Sequence, residues 1–262
     1  MLRFQEMNHL LSFCTRNRQL SNYKLNEMER MNIIVSEKSW HQSMASDLDA
    51  RLGRNFTLIN NPESFSLEIL QQIQPRYLFF PHWSYRISPA IFNSFECIVF
   101  HMTDLPFGRG GTPLQNLISR GFTETKISAL KCTKEIDAGP IYLKRSLSLE
   151  GTAQEIYERA SVIIADMIYE IVKEKITPVE QSGDPVVFER RKPEEGNLIQ
   201  SKNIEAAYDL IRMLDADGYP HAFVEVGELI FRFRNAALDS NGLFANVQIE
   251  RRSVIDAEKG DE

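Results

Sequence analysis

The sequence predicts a doubly wound α/β fold with a mostly parallel sheet, followed by a small α+β appendage. Three observations carry this. Short apolar runs alternate with longer segments of helical period from about residue 31 to about residue 176, as parallel strands covered by helices on both faces do. Turn formers cluster directly after several of these runs, where such sheets carry their ligand loops. Beyond about residue 203 the apolar period shortens towards 2 and hairpin signals appear, as in antiparallel strands.

Met31-Asn32-Ile33-Ile34-Val35 reads as the first parallel strand. Residues 1–30 are polar and without a clean period, and read as an N-terminal extension with a helix over Phe4 to Phe13. A helix is expected over Ser39 to Leu52, a strand over Asn55 to Ile59, and a helix over Ser66 to Ile73. The third strand is Arg76 to Phe80, then comes a short helix over Pro89 to Phe92, and the fourth strand runs from Cys97 to His101. Lys126 to Cys132 is strand-like again. Thr152-Ala153-Gln154-Glu155 is a capping box opening a long amphipathic helix to about Ile176. Its stripe of Ile156, Ala160, Ile163, Ile164, Met167, Ile168 and Ile171 is a core face. A helix follows over Ile204 to Leu214. Strands over His221 to Val226, Leu229 to Asn235 and Leu243 to Ile249 come next, with Gly227-Glu228 as a hairpin turn. Together these give a Rossmann-like α/β domain over 31–195 and a small α+β region over 196–262, with a disordered end from Ile255 to Glu262.

The composition bounds the function. A chain of 262 residues, 43% hydrophobic and 25% charged, suits one large globular domain with an appendage. The net charge of -6, with no basic run longer than Arg190-Arg191-Lys192, argues against a bulk nucleic-acid surface. Cys14, Cys97 and Cys132 are widely spaced and odd in number, so neither a disulfide framework nor a metal site is expected. No signal peptide and no long apolar run appear, so the reading is cytoplasmic, without a membrane partner. The first strand is followed by Ser36-Glu37-Lys38-Ser39-Trp40 rather than a glycine fingerprint, so no dinucleotide is expected.

Chemistry concentrates after the fourth strand. His101 ends it, and Met102-Thr103-Asp104-Leu105-Pro106-Phe107-Gly108-Arg109-Gly110-Gly111-Thr112-Pro113 follows. An imidazole at a strand end beside a glycine loop is placed to handle a proton near a ligand. Asp137, before Ala138-Gly139-Pro140, lies in a second loop after a strand. A carboxylate there can fix the tautomer of His101 and stabilise its protonated form. Phe80-Pro81-His82-Trp83 opens a third strand-end loop that should adjoin His101.

The pattern His-x-x-x-Leu-Pro-x-x-Arg-Gly-x-x-Pro is formed by His101, Leu105, Pro106, Arg109, Gly110 and Pro113. With Asp-x-Gly at Asp137 and Gly139, it resembles the formyltetrahydrofolate-dependent formyltransferase family. The resemblance covers roughly Met31 to Arg191. The strings His101 to Gly111 and Glu189-Arg190-Arg191-Lys192-Pro193 look most like nucleotide-sugar N-formyltransferases of the pseudaminic-acid type. It implies formyl transfer from 10-formyltetrahydrofolate to a primary amine of a nucleotide-linked amino sugar, with His101 and Asp137 as the catalytic pair. By the same resemblance, Phe80, Pro81, His82, Trp83, Ile87 and Ile136 hold the folate. Thr103, Arg109, Gly110 and Gly111 hold the acceptor, while Arg190, Arg191 and Lys192 take its diphosphate. A homodimer is compatible with this reading. The family's Asn two residues before the His is replaced by Val99. The formyl oxygen then needs another donor: protonated His101, a loop N–H, His82 or Asn116. Formyltetrahydrofolate hydrolysis, non-catalytic folate or nucleotide binding, and methionyl-tRNA formylation are the other readings of the same residues.

Overall fold

The computed structural model describes residues 30–53 and 55–252. The helix expected over Phe4 to Phe13, the extension up to residue 29 and the end expected to be disordered lie outside them. In chain order the strands are β1 (Asn32–Val35), β2 (Phe56–Ile59), β3 (Tyr77–Pro81), β4 (Cys97–His101), β5 (Phe107–Gly110), β6 (Glu124–Lys131) and β7 (Ile141–Ser148), then β8 (Val186–Phe188), β9 (Phe223–Val226), β10 (Leu229–Asp239) and β11 (Gly242–Arg251). The helices are α1 (Met44–Leu52), α2 (Leu67–Ile73), α3 (Pro89–Phe92), α4 (Pro113–Ile118), α5 (Ala153–Glu174) and α6 (Ile204–Leu214).

The chain divides into two compact units. The first takes the chain up to His101 with Ser128–Lys144 and Ser161–Gln181. It holds most of a six-stranded sheet of order β2-β1-β3-β4-β6-β7. β1 pairs in parallel with β2 and β3, and β3 with β4. This is the doubly wound, mostly parallel arrangement expected. Ile33, Ile34, Leu78, Phe79 and Ile98 are fully buried, which is why these strands read as unbroken apolar runs. β6 is the exception: it runs antiparallel to β4, placing Ser128 opposite His101 and Lys131 opposite Ile98.

Local chemistry sets the element ends. The helix expected over Ser39 to Leu52 divides into a 3₁₀ turn, Ser39–His41, and α1. The division follows a buried bond of 2.7 Å between the Ser36 hydroxyl and His41 Nδ1, which anchors the turn before the helix starts. α1 stops at Gly53, whose φ of 59° is the left-handed cap that glycine adopts without strain. α2 starts at Ser66, whose hydroxyl accepts the Ile69 N–H. The capping box of α5 is present: the Thr152 N–H donates to Glu155 at 2.8 Å, and the Glu155 N–H to the Thr152 hydroxyl at 3.3 Å.

The second unit takes Met102–Ile127, Arg145–Ala160 and the chain from Ser182 onward. Here the glycine loop expected after β4 contains a strand. β5 pairs in parallel with β8, with Arg109 opposite Val187 and Gly110 opposite Phe188. The glycines that read as turn formers serve close backbone approach instead. A Cβ on Gly110 would sit 2.5 Å from the Phe188 carbonyl oxygen. The C-terminal part is a helix, α6, and an antiparallel meander of order β11-β10-β9. Leu229 pairs with Val226 across the turn at Gly227, the hairpin expected. Among the described residues no helix is long and apolar enough to cross a membrane.

Candidate active site

The antiparallel pairing of β4 and β6 brings two distant residues together. His101 Nδ1 lies 3.4 Å from Asp137 Oδ2, and both side chains are largely buried. Asp137 sits in the tight connection between β6 and β7. The Lys131 N–H donates to the Pro140 carbonyl at 2.8 Å to close that connection. A Cβ on Gly139 would fall on the Lys131 carbonyl oxygen, so only glycine fits there. Asp137 itself holds a φ of 53°, a conformation unfavourable outside glycine and asparagine-like residues. The Gln181 amide donates to the carbonyls of Asp137 and Gly139, each at 2.8 Å, and clamps the loop from outside. No local pattern marks Gln181 for this role, since its partners are backbone atoms far along the chain.

The residues assigned to folate lie in the same unit, at the ends of β3 and β6. Phe80 is 1% exposed and belongs to the core cluster, so it supports the loop from below. Pro81 ends β3 and pairs with Phe100, which sets the loops after β3 and β4 side by side. His82 takes a φ of 54° and meets Trp40 edge-on, with ring centroids 5.6 Å apart. Burial, reinforced by the charges of Lys38 and His41, pushes its pKa down to about 3, so its imidazole is neutral. Trp83 and Ile87 pack against the core cluster and stay partly exposed. The indole N–H of Trp83 is buried with no hydrogen-bond partner among the described residues. Ile136, beside Asp137, is 61% exposed. His41 is buried against Ser36, and desolvation together with Lys38 lowers its pKa to about 4.

The residues assigned to the acceptor lie in the second unit. Thr103 is buried and its hydroxyl donates to the Gly108 carbonyl at 3.4 Å. Arg109 lies in β5. Gly111 is pressed against Arg190, where an added Cβ would sit 2.6 Å from the Arg190 Cβ. The Arg191 guanidinium donates to the Glu195 carbonyl at 3.0 Å, and the Lys192 N–H to the Glu195 carboxylate at 2.6 Å. The side chains of Arg190 and Lys192 are exposed.

Val99 packs against the core cluster that also contacts Trp83 and Cys132. Of the candidate replacement donors, Asn116 is committed elsewhere. Its amide nitrogen lies 3.1 Å from the Gly111 and Thr112 carbonyls and 2.9 Å from the Glu189 carbonyl. An amide has only two N–H groups, and these carbonyls together with the Thr112 hydroxyl at 3.1 Å already supply more acceptors than that.

Comparison with known proteins fixes the class. Residues 193–250 match the family model of the methionyl-tRNA formyltransferase C-terminal domain. A solved methionyl-tRNA formyltransferase from Clostridium thermocellum is 45% identical, with a TM-score of 0.82, covering 85% of this chain and 99% of that one. The methionyl-tRNA formyltransferase of Rickettsia massiliae is 25% identical over 149 residues, 55% of this chain and 49% of that protein. The chain spans about half the length of the curated relatives it matches. A sugar N-formyltransferase from Shewanella sp. FDAARGOS_354 shares the fold at 18% identity and a TM-score of 0.60.

Two expectations are overturned by these likenesses. The nucleotide-sugar acceptor rested on short strings around His101 and Arg190, whereas likeness to methionyl-tRNA formyltransferases extends over most of the chain and into its C-terminal region. The absence of a nucleic-acid partner rested on a net charge of -6, and the relatives are enzymes named for a tRNA substrate. A whole-chain charge is an average, and it leaves exposed cations such as Arg190 and Lys192 in place. With the His101–Asp137 pair assembled, a mostly parallel sheet as expected and a 45%-identical relative matched along nearly its full length, this chain belongs to the formyltetrahydrofolate-dependent formyltransferase family.

Proposed function

We propose that this protein transfers the formyl group of 10-formyltetrahydrofolate to the amino group of methionyl-tRNA. The observation that carries the chemistry is the His101–Asp137 pair at 3.4 Å. What supports the acceptor is the 45%-identical methionyl-tRNA formyltransferase. The donor is 10-formyltetrahydrofolate, that of the family.

The amine attacks the formyl carbon and must lose a proton, while the formyl oxygen gains negative charge. Asp137 holds His101 through Nδ1, so Nε2 is the nitrogen that takes the amine proton. The protonated imidazole stabilises the oxyanion and passes its proton to the departing folate nitrogen. Collapse of the adduct then yields the N-formyl product and tetrahydrofolate. The loop Phe80 to Ile87, with Ile136, holds the pterin largely by apolar contact and backbone groups. Arg190 and Lys192 take phosphates of the acceptor, a task suited to exposed cations.

The test is incubation with 10-formyltetrahydrofolate and methionine-charged tRNA, with mass spectrometry for a gain of one formyl group on methionine. His101→Ala should lose at least about 10²-fold in turnover with folate still bound, the scale of removing a general base. Asp137→Asn should lose turnover while its thermal midpoint changes little. Folate binding without formylmethionine formation would refute the acceptor. Formate release without any acceptor would point to hydrolysis.

A further inference from the structure

Six non-glycine residues among those described have a positive φ: Gln74, His82, Thr112, Asp137, Lys175 and Asn235. Gln74 caps the end of α2, Lys175 directly follows α5, and asparagine tolerates this region. The remaining three lie on the segments that carry the candidate site. Thr112 is the only β-branched residue of the six, with φ 44° and ψ 56°. A side chain branched at Cβ is a true outlier there, held only where its surroundings over-determine it.

Its surroundings do so through hydrogen bonds. The Thr112 hydroxyl oxygen accepts the Arg191 backbone N–H at 3.0 Å and the Asn116 amide at 3.1 Å. The same Asn116 amide reaches the Glu189 carbonyl, and Asn116 Oδ1 accepts from Arg120 at 2.6 Å. Gly111, one residue earlier, has its N–H on the Phe188 carbonyl and its backbone against Arg190. Thr112 and Asn116 thus join the loop that follows β5 to the segment Phe188 to Lys192 on both sides of Arg190.

We propose that Thr112 is an acceptor-positioning residue: its strained backbone lets its hydroxyl hold Arg191, and so presents Arg190 and Lys192 to the acceptor's phosphates. This rests on the methionyl-tRNA reading for the identity of the acceptor. A glycine would relax the backbone strain at this position but would lose the hydroxyl that accepts the Arg191 N–H.

Three variants decide it: Thr112→Val removes the hydroxyl isosterically, Thr112→Ser keeps it, and Thr112→Gly removes both hydroxyl and strain. Each is assayed for thermal midpoint, for KM and kcat with methionyl-tRNA, and for uncharged tRNA binding across a salt series. Thr112→Val should raise KM roughly tenfold, the scale of one hydrogen bond, with a much smaller change in kcat. It should also flatten the plot of log affinity against log salt by about one phosphate contact. Thr112→Ser should stay within about twofold of wild type. Thr112→Gly should hold or raise the thermal midpoint yet show the same rise in KM, a combination that loss of a purely structural residue does not give. If Thr112→Val and Thr112→Gly keep the wild-type KM and salt slope, the inference is wrong. Wild type that binds tRNA without formylating it refutes the methionyl-tRNA reading alone, and the salt slopes still decide the role of Thr112. Wild type that binds no tRNA at any salt overturns both.

Discussion

Cys97, Val99 and His101 share one face of β4, because side chains alternate along a strand. The first two pack on the core cluster and the third meets Asp137. Val99 therefore satisfies packing at a position where the family supplies a hydrogen-bond donor to the formyl oxygen. Asn116 cannot stand in, since its amide is occupied by backbone carbonyls and the Thr112 hydroxyl. Val99→Asn is expected to raise turnover by up to about 10²-fold, the reverse of deleting an oxyanion donor. It should also lower stability by about 1–3 kcal/mol, because a partly buried amide replaces an apolar side chain. Steady-state kinetics beside thermal unfolding reads both effects, and an unchanged kcat would mean that the oxyanion already has its donor. The positions of His101 and Asp137 at strand ends were legible from the residues before them. Their pairing was not, because it depends on β6 lying next to β4.

At the scale of elements, the connection from β6 to β7 carries Asp137, the carboxylate of the proposed catalytic pair, and depends on one glycine. Gly139→Ala places a methyl group on the Lys131 carbonyl oxygen, so the loop must open and Asp137 must move. The expected result is a drop in thermal midpoint, with turnover falling by more than the lost stability explains. Normal kinetics in Gly139→Ala would show that the loop is not needed to hold Asp137. This loop announced itself by Asp-Ala-Gly-Pro, and α2, α5 and α6 by their caps and apolar periods. β5 and β8 were hidden. Glycine-rich and three-residue strands carry no period, and their pairing is made by contact between distant segments. β7 escaped as well, because Lys144-Arg145 interrupts its apolar run.

For the whole molecule, buried neutral imidazoles make stability depend on pH. His41 has its folded pKa lowered from 6.5 to about 4 by desolvation and by Lys38, and His82 is lowered to about 3. The unfolded chain therefore binds more protons once the pH falls below about 6.5. Stability is complete above that value and is lost as the pH falls towards 4, by a few kcal/mol as an order of magnitude. Urea unfolding at pH 7, 6 and 5 should show a falling midpoint over a range in which carboxylates contribute little. A flat midpoint would mean that these histidines become charged within the fold. The acceptor is also a property of the whole molecule. Net charge and short strings pointed to a small nucleotide-linked amine, whereas the likeness that covers 85% of the chain is to a methionyl-tRNA formyltransferase.

The sequence by itself determined the α/β class and singled out His101 and Asp137, in loops at strand ends, as the pair proposed to handle the proton. Apolar runs, caps and turn formers act between near neighbours, so their consequences can be read along the chain. The tertiary structure decided which strand lies beside which, and so the 3.4 Å approach of His101 to Asp137. It also decided the tie from Thr112 and Asn116 to Arg191 and Glu189, and the packing of Val99 on the core. These are contacts between segments far apart in the chain. Their hydrogen bonds go mostly to backbone atoms, which every residue carries and no sequence pattern distinguishes.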